Sequence, residues 1–340
     1  MKLQSVISLG VTLCVCAVVI FGAVPAAGQS SAWTASRTTD GQPNLQGVWS
    51  NNNVTPLERP EILGGRETLT DEEVAALQAR AGELFSSDSG DAAFGDSVFA
   101  AALAEAQTFS SRDTQTGNYN QFWMVEREWD NRTSLIIDPA DGRLPARTQL
   151  ALDRQAQRSE ARQRHAWGPE DRSLGERCIS WGAPRLGAGY NSYIQIFQSA
   201  THVVVYQEMG GARVIPLDGG PHVSENIRQL HGDSRGHFEG DTLVIETANY
   251  SPRASIMGAN DGLHVLERFT LVSDGVLQYE VTMTDPKTWV APWTAMIPLQ
   301  STQDPLFEYA CHEGNIGMEG IMAGARALEK AEGDAGGGSN

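Results

Sequence analysis

Two histidines, three acids and an arginine fall within the eleven residues His231–Asp241, "HGDSRGHFEGD". Asp233 can orient the His231 imidazole, and Arg235 can hold an anion or a developing oxyanion. Glu239-Gly240-Asp241 is itself a hairpin signal ahead of the strand-like run "TLVIETANY". His237, Glu239 and Asp241 therefore read as turn residues near solvent. His231, Asp233, Ser234 and Arg235 precede the hairpin in a loop, where sites are commonly carried.

A second candidate comes from strand alternation. In "HVLERFTLV", Val265, Glu267, Phe269 and Leu271 share one side. In "VLQYEVTM", Leu277, Tyr279, Val281 and Met283 share one side, and Asp274-Gly275 between the runs fits a tight turn. Glu267 thus lies on the apolar, inward side. A carboxylate there is costly unless paired. It is either an acid/base group or a structural carboxylate held by a buried arginine or by amides. Glu208 poses the same problem at the end of "VVVYQEMGG". Arg213, just past Gly210-Gly211, could pair with it across a hairpin, and Arg235 is the other candidate partner.

Glu267, His231, Asp233 and Arg235 are therefore read as the catalytic set. Glu208, Arg213, His264, Tyr279 and Trp293 are read as ligand contacts. The aromatics Trp123, Trp129, Trp181, Trp289, Tyr190 and Tyr193 are available to line a pocket. No cofactor is favoured. A divalent metal is the open alternative, with His222, His231, His264 and His312 as its ligands. No two of them have tight ligand spacing such as His-x-His. Ser234 lacks the Gly-x-Ser-x-Gly elbow of a serine nucleophile. No Walker or Rossmann glycine pattern is present, which argues against a nucleotide cofactor.

The elements that must position these residues divide the chain unevenly. Thr70 and Glu73 form a capping box ahead of "DEEVAALQARAGELF". Helical insertions are expected over 70–107 and 147–166. Everything after Cys178 is strand-like, with short runs broken by Gly, Asp, Asn and Pro. The expected fold is mainly β with a helical N-terminal third, an antiparallel β-barrel or a sandwich. One β-rich domain is expected over 45–330, after a flexible lead-in at 29–44. A disordered, low-complexity tail is expected at 331–340.

The ends and the charge bound the compartment. "MKLQSVISLGVTLCVCAVVIFGAVPAAG" has an early lysine, an apolar run and a small-residue exit, the layout of a signal peptide over 1–28. Its removal leaves about 310 residues and two cysteines, Cys178 and Cys311, expected to pair in an oxidising compartment. The protein is expected to be exported, periplasmic or extracellular, with no membrane association after cleavage. A net charge of −17 argues against nucleic acid as a partner.

Gly47-Val48-Trp49 resembles the Gly-x-Trp signature of lipocalin-type barrels. "PNLQGVW", "PLERP", "GDSRGHFEGDTLVIET" and "YACHEGNIGMEGIMAGARA" together resemble a large, mostly uncharacterised family of secreted bacterial proteins. That resemblance implies export and a shared fold, and supplies no catalytic residues. The reading is an exported β-barrel enzyme using acid/base chemistry on an apolar small molecule. A lyase, hydratase, isomerase or hydrolase would fit. The alternative is a lipocalin-like small-molecule binding protein without catalysis.

Overall fold

The computed structural model describes residues 33–86, 91–110 and 126–337. Residues 1–28, read above as a signal peptide, and Trp123 lie outside them. Residues Ala35–Asn340 form one compact unit.

Its centre is an antiparallel sheet. The strands are β1 (Gly47–Ser50), β2 (Ile136–Asp138), β3 (Ile194–Gln198), β4 (His202–Gln207), β5 (Gly211–Pro216), β6 (Asp233–Glu239), β7 (Thr242–Ala248), β8 (His264–Ser273), β9 (Val276–Thr284) and β10 (Trp293–Thr302). Nine run in the order β5-β4-β3-β1-β10-β9-β8-β7-β6, and β2 pairs with the start of β10. The sheet curls into a nearly closed barrel. With nine antiparallel strands, the two end strands, β5 and β6, run in the same direction. They lie side by side without a ladder between them. Gly236 permits this close seam, since a Cβ there would sit 2.9 Å from Ile215.

Alternation sets the interior. Val265, Glu267 and Phe269 of β8, Leu277, Tyr279, Val281 and Met283 of β9, and Trp293, Ala295, Ile297 and Leu299 of β10 are all buried. The hairpin at Asp274-Gly275 forms as expected, with Gly275 at φ +78. Phe269 and Tyr279, directly paired across β8 and β9, stack at 4.4 Å. Trp49 faces the same core and donates its ring N–H to the Leu45 carbonyl at 3.0 Å. Such aromatic burial is the main source of stability in a fold of this kind.

Helices are α1 (Asp71–Leu84), α2 (Asp96–Leu103), α3 (Gln149–Gln163) and α4 (Ile316–Gly337). The Thr70–Glu73 capping box is present. The N-terminal third is not helical overall, which corrects the expectation. Among the described residues there, α1 and α2 are the α-helices, and they pack a small second core around Val74, Leu77 and Phe99. The segment before them carries three asparagines, Pro56, Pro60 and Gly64-Gly65, which cannot sustain a helix. Its backbone is satisfied instead by strapping to 128–136, as in Val54 N–H to Glu128 at 3.0 Å and Leu135 N–H to Pro56 at 2.8 Å. A further difference lies at the C-terminus. Residues 316–337 are helical, where strand and a low-complexity tail were expected, because "MAGARALEKAE" is built from strong helix formers.

Cys178 and Cys311 are disulfide-bonded, with Cα atoms 5.5 Å apart. The bridge spans 133 residues and ties the loop over one barrel end to the chain after β10. Replacing both cysteines with serine is expected to cost about 2–5 kcal/mol, read as a lower urea midpoint. No helix among the described residues is long and apolar enough to cross a membrane.

Candidate functional site

Two buried charges and a phenol form one closed group in the barrel interior. Arg213 of β5 reaches across the barrel interior to Glu267 of β8. Its Nη1 lies 2.5 Å from Oε2 and its Nη2 lies 2.8 Å from Oε1. Tyr279 donates its hydroxyl to Glu267 Oε1 at 2.8 Å. The side chains of Arg213 and Glu267 are 4% and 0% exposed. Burial works against the Arg213 charge, but Glu267 outweighs it and raises the pKa. Burial foremost also raises the Tyr279 phenol well above its ordinary value.

Glu267 therefore has the arginine partner that was the structural alternative, and it does not meet His231 or Arg235. Its expected place in a catalytic set is corrected accordingly. Arg213 does not pair with Glu208, for a geometric reason. The inward side of β4 carries Val203, Val205 and Gln207, whereas Glu208 follows on the side of Val204 and Tyr206. Trp293 and Tyr279 are likewise core residues. Trp293 packs edge-on to Trp289 at 5.6 Å.

The barrel end where β5 and β6 begin carries a different arrangement. A cleft of about 290 Å³ opens there, lined among others by Ser180, Trp181, Glu208, His231, Tyr309 and the disulfide. Ser180 Oγ lies 2.7 Å from His231 Nε2. The Gly182 N–H donates to the same Oγ at 2.9 Å, which leaves the hydroxyl proton for the imidazole.

Local turns aim these groups. Gly232 N–H bonds the Gln229 carbonyl at 3.2 Å, closing the turn that carries His231. Gly232 sits at φ +69, and a Cβ would come within 2.6 Å of the Ala248 oxygen. No other residue fits that turn unstrained. The Ser180 loop is pinned by the disulfide two residues before it and by Tyr250, which donates to the Ala183 carbonyl at 3.1 Å.

The electrostatics favour a neutral imidazole. Burial, and then the nearby Arg213 charge, hold the His231 pKa below its ordinary 6.5. Glu208 shifts the opposite way, pushed above its ordinary 4.5 by burial. Its Oε1 accepts from Asn191 at 3.2 Å, while the buried Oε2 has no hydrogen-bond partner among the described residues. The cleft thus holds a hydroxyl–imidazole pair and a carboxyl group whose pKa burial raises.

The remaining expected residues lie elsewhere. Asp233 does not orient His231. It binds His222 Nδ1 at 2.8 Å, the Val223 N–H at 3.0 Å and Arg235 Nε at 3.3 Å. Burial alone would raise the Asp233 pKa, but these donors lower it. Arg235 is occupied by Asp233 rather than by a free anion site. His264 pairs with Glu246 at 2.7 Å on the outer surface. His237 and Glu239 pair at 3.0 Å, exposed, as turn residues would. His312 lines the cleft. His222, His231, His264 and His312 do not converge. Among the described residues no group of three His, Cys, Asp or Glu could hold a metal.

Ser180 was missed by sequence reasoning. It lies in "CISWG", two residues after a cysteine expected to be cross-linked, and that placement is the signal that could have found it.

No family model matches the chain, and no curated protein matches it. Among solved structures, a crystal structure of a mutant of the fluorescent protein UnaG is similar at 16% identity. The match covers 33% of this chain and 72% of that one, with a TM-score of 0.22. The barrel assignment rests on the strand order itself.

Proposed function

We propose that the protein is an exported hydrolase of small esters that carry an apolar or aromatic group, built on the end of the barrel. The observation that carries this reading is the 2.7 Å contact between Ser180 Oγ and His231 Nε2 in an aromatic-walled cleft. A hydroxyl becomes a competent nucleophile when a neutral base takes its proton. Ser180 Oγ attacks the ester carbonyl carbon, and its proton passes to His231 Nε2. The tetrahedral intermediate then expels the alcohol, which takes that proton from the imidazolium. Water, deprotonated by His231, releases the acid from Ser180. Glu208, whose Oε2 is otherwise unpartnered among the described residues, faces the same cleft and can donate to a polar oxygen of the substrate when it carries a proton.

Among the described residues no carboxylate hydrogen-bonds His231 Nδ1. The pair therefore works without the carboxylate that orients the histidine in a serine triad. Export is supported by the N-terminal segment, by the disulfide, and by the resemblance to secreted bacterial proteins.

An aryl fluorophosphonate distinguishes this enzyme from a barrel that only binds. The expected result is a single covalent adduct on the Ser180 peptide by mass spectrometry, absent in Ser180→Ala. Labelling elsewhere, or none while an aryl ester still binds, would leave the binding-protein reading in its place.

A further inference from the structure

A second cleft, of about 220 Å³, lies on the outer face of the barrel, away from Ser180. Its floor is the outward side of β9 and β10, where Gln278 pairs with Pro298 and Val276 with Gln300. Its wall is the 126–132 segment, held by Glu128 N–H to Asn52 at 3.0 Å and Val54 N–H to Glu128 at 3.0 Å. Val272, Val276, Met296 and Trp129 make one apolar side.

The charges in this cleft are unevenly matched. Asp130 accepts from Asn53 at 3.2 Å, Thr55 at 3.1 Å, the Arg132 N–H at 2.8 Å and the Arg132 guanidinium at 2.9 Å. Arg132 spends its other nitrogen on the Met296 carbonyl at 2.8 Å. Glu128 has far less. Ser50 reaches its Oε1 only at 3.4 Å, and its buried Oε2 has no partner among the described residues. Burial foremost, with Glu126 adding to it, pushes its pKa up to about 7. A buried carboxylate oxygen without a donor is costly, and a ligand that supplies the donor and the charge recovers that cost.

We propose that this cleft binds a small organic ammonium ion, its charged head on Glu128 and its apolar body against Val272, Val276, Met296 and Trp129. A hard metal ion would need several oxygen ligands rather than an apolar wall. A neutral polyol would leave the Glu128 charge uncompensated. The net charge of −17 also concentrates cations near the surface.

Calorimetric titration of the purified full chain with 2-phenylethylammonium tests this. It is run at about pH 8, above the Glu128 value of about 7, with 2-phenylethanol as the uncharged match. The ammonium is expected to bind at least about tenfold more tightly than the alcohol, a difference of roughly 1.4 kcal/mol. Glu128→Gln should remove that difference and leave the alcohol unchanged. Val276→Phe, which fills the cleft from the sheet side, should abolish binding of both. Ser180→Ala should change neither. Equal affinities for the two probes, no ammonium binding, or ammonium binding unaffected by both cleft variants would overturn the assignment.

Discussion

Glu267→Leu is expected to cost about 3–5 kcal/mol in urea unfolding, a large part of what a domain of this size holds in reserve. The loss does not come from the ion pair being intrinsically strong. Two ions taken out of water lose much of what their attraction returns. It comes from Arg213, which would stay charged and buried at 4% exposure with no counter-ion. Arg213→Met combined with Glu267→Leu should recover most of the loss, because both charges leave together. A residual deficit of about 1–3 kcal/mol should persist, since Tyr279 then has no acceptor for its hydroxyl. If the double variant proves as unstable as Glu267→Leu alone, the buried pair is stabilising in itself and this account of it is wrong. The pair also reaches the cleft. Arg213 is one of two causes that depress the His231 pKa, so the double variant should let that pKa rise toward 6.5.

What the sequence disclosed and what it withheld follow a physical division. Features governed by local spacing were legible. Alternation put Glu267 inward, Asp274-Gly275 made the turn, Thr70 and Glu73 capped α1, and two cysteines left after an expected signal peptide implied a bridge. Features governed by which strands meet across a closed interior were not. Arg213 lies 54 residues from Glu267, and only barrel closure brings β5 opposite β8. Reading along the chain offered Glu208 instead, an acid just across the Gly210-Gly211 turn, which points to the other side of its strand. The same limit hid the candidate site. Ser180 and His231 are 51 residues apart in irregular loops. Their meeting depends on the Gly232 turn and the disulfide together, neither of which has a period to read. Asp233, two residues from His231, could not serve it because the backbone of β6 turns it toward His222 and Val223.

Ser180→Ala is expected to lower kcat for an aryl ester by about 10³-fold or more, with KM nearly unchanged, since the hydroxyl acts in the bond-making step. His231→Gln should cost about 10²–10⁴-fold and slow fluorophosphonate labelling of Ser180 in parallel. The pH profile supplies a readout that a structural role would not move. His231 works as a neutral base, and its pKa is held below 6.5 by burial and by Arg213. Activity should therefore persist below pH 6.5 and vanish only as pH falls through the lowered value. In the proposed mechanism Glu208 acts when it carries a proton, and burial raises its pKa above 4.5. Its contribution is lost as pH rises through that raised value. The acid limb therefore lies lower than for an ordinary histidine base. Glu208→Gln, which cannot ionise, should flatten the alkaline limb and leave the acid limb in place. Removing the Arg213–Glu267 pair should move the acid limb upward. A profile that Glu208→Gln leaves unchanged would remove Glu208 from the mechanism, and full activity in Ser180→Ala would remove the nucleophile.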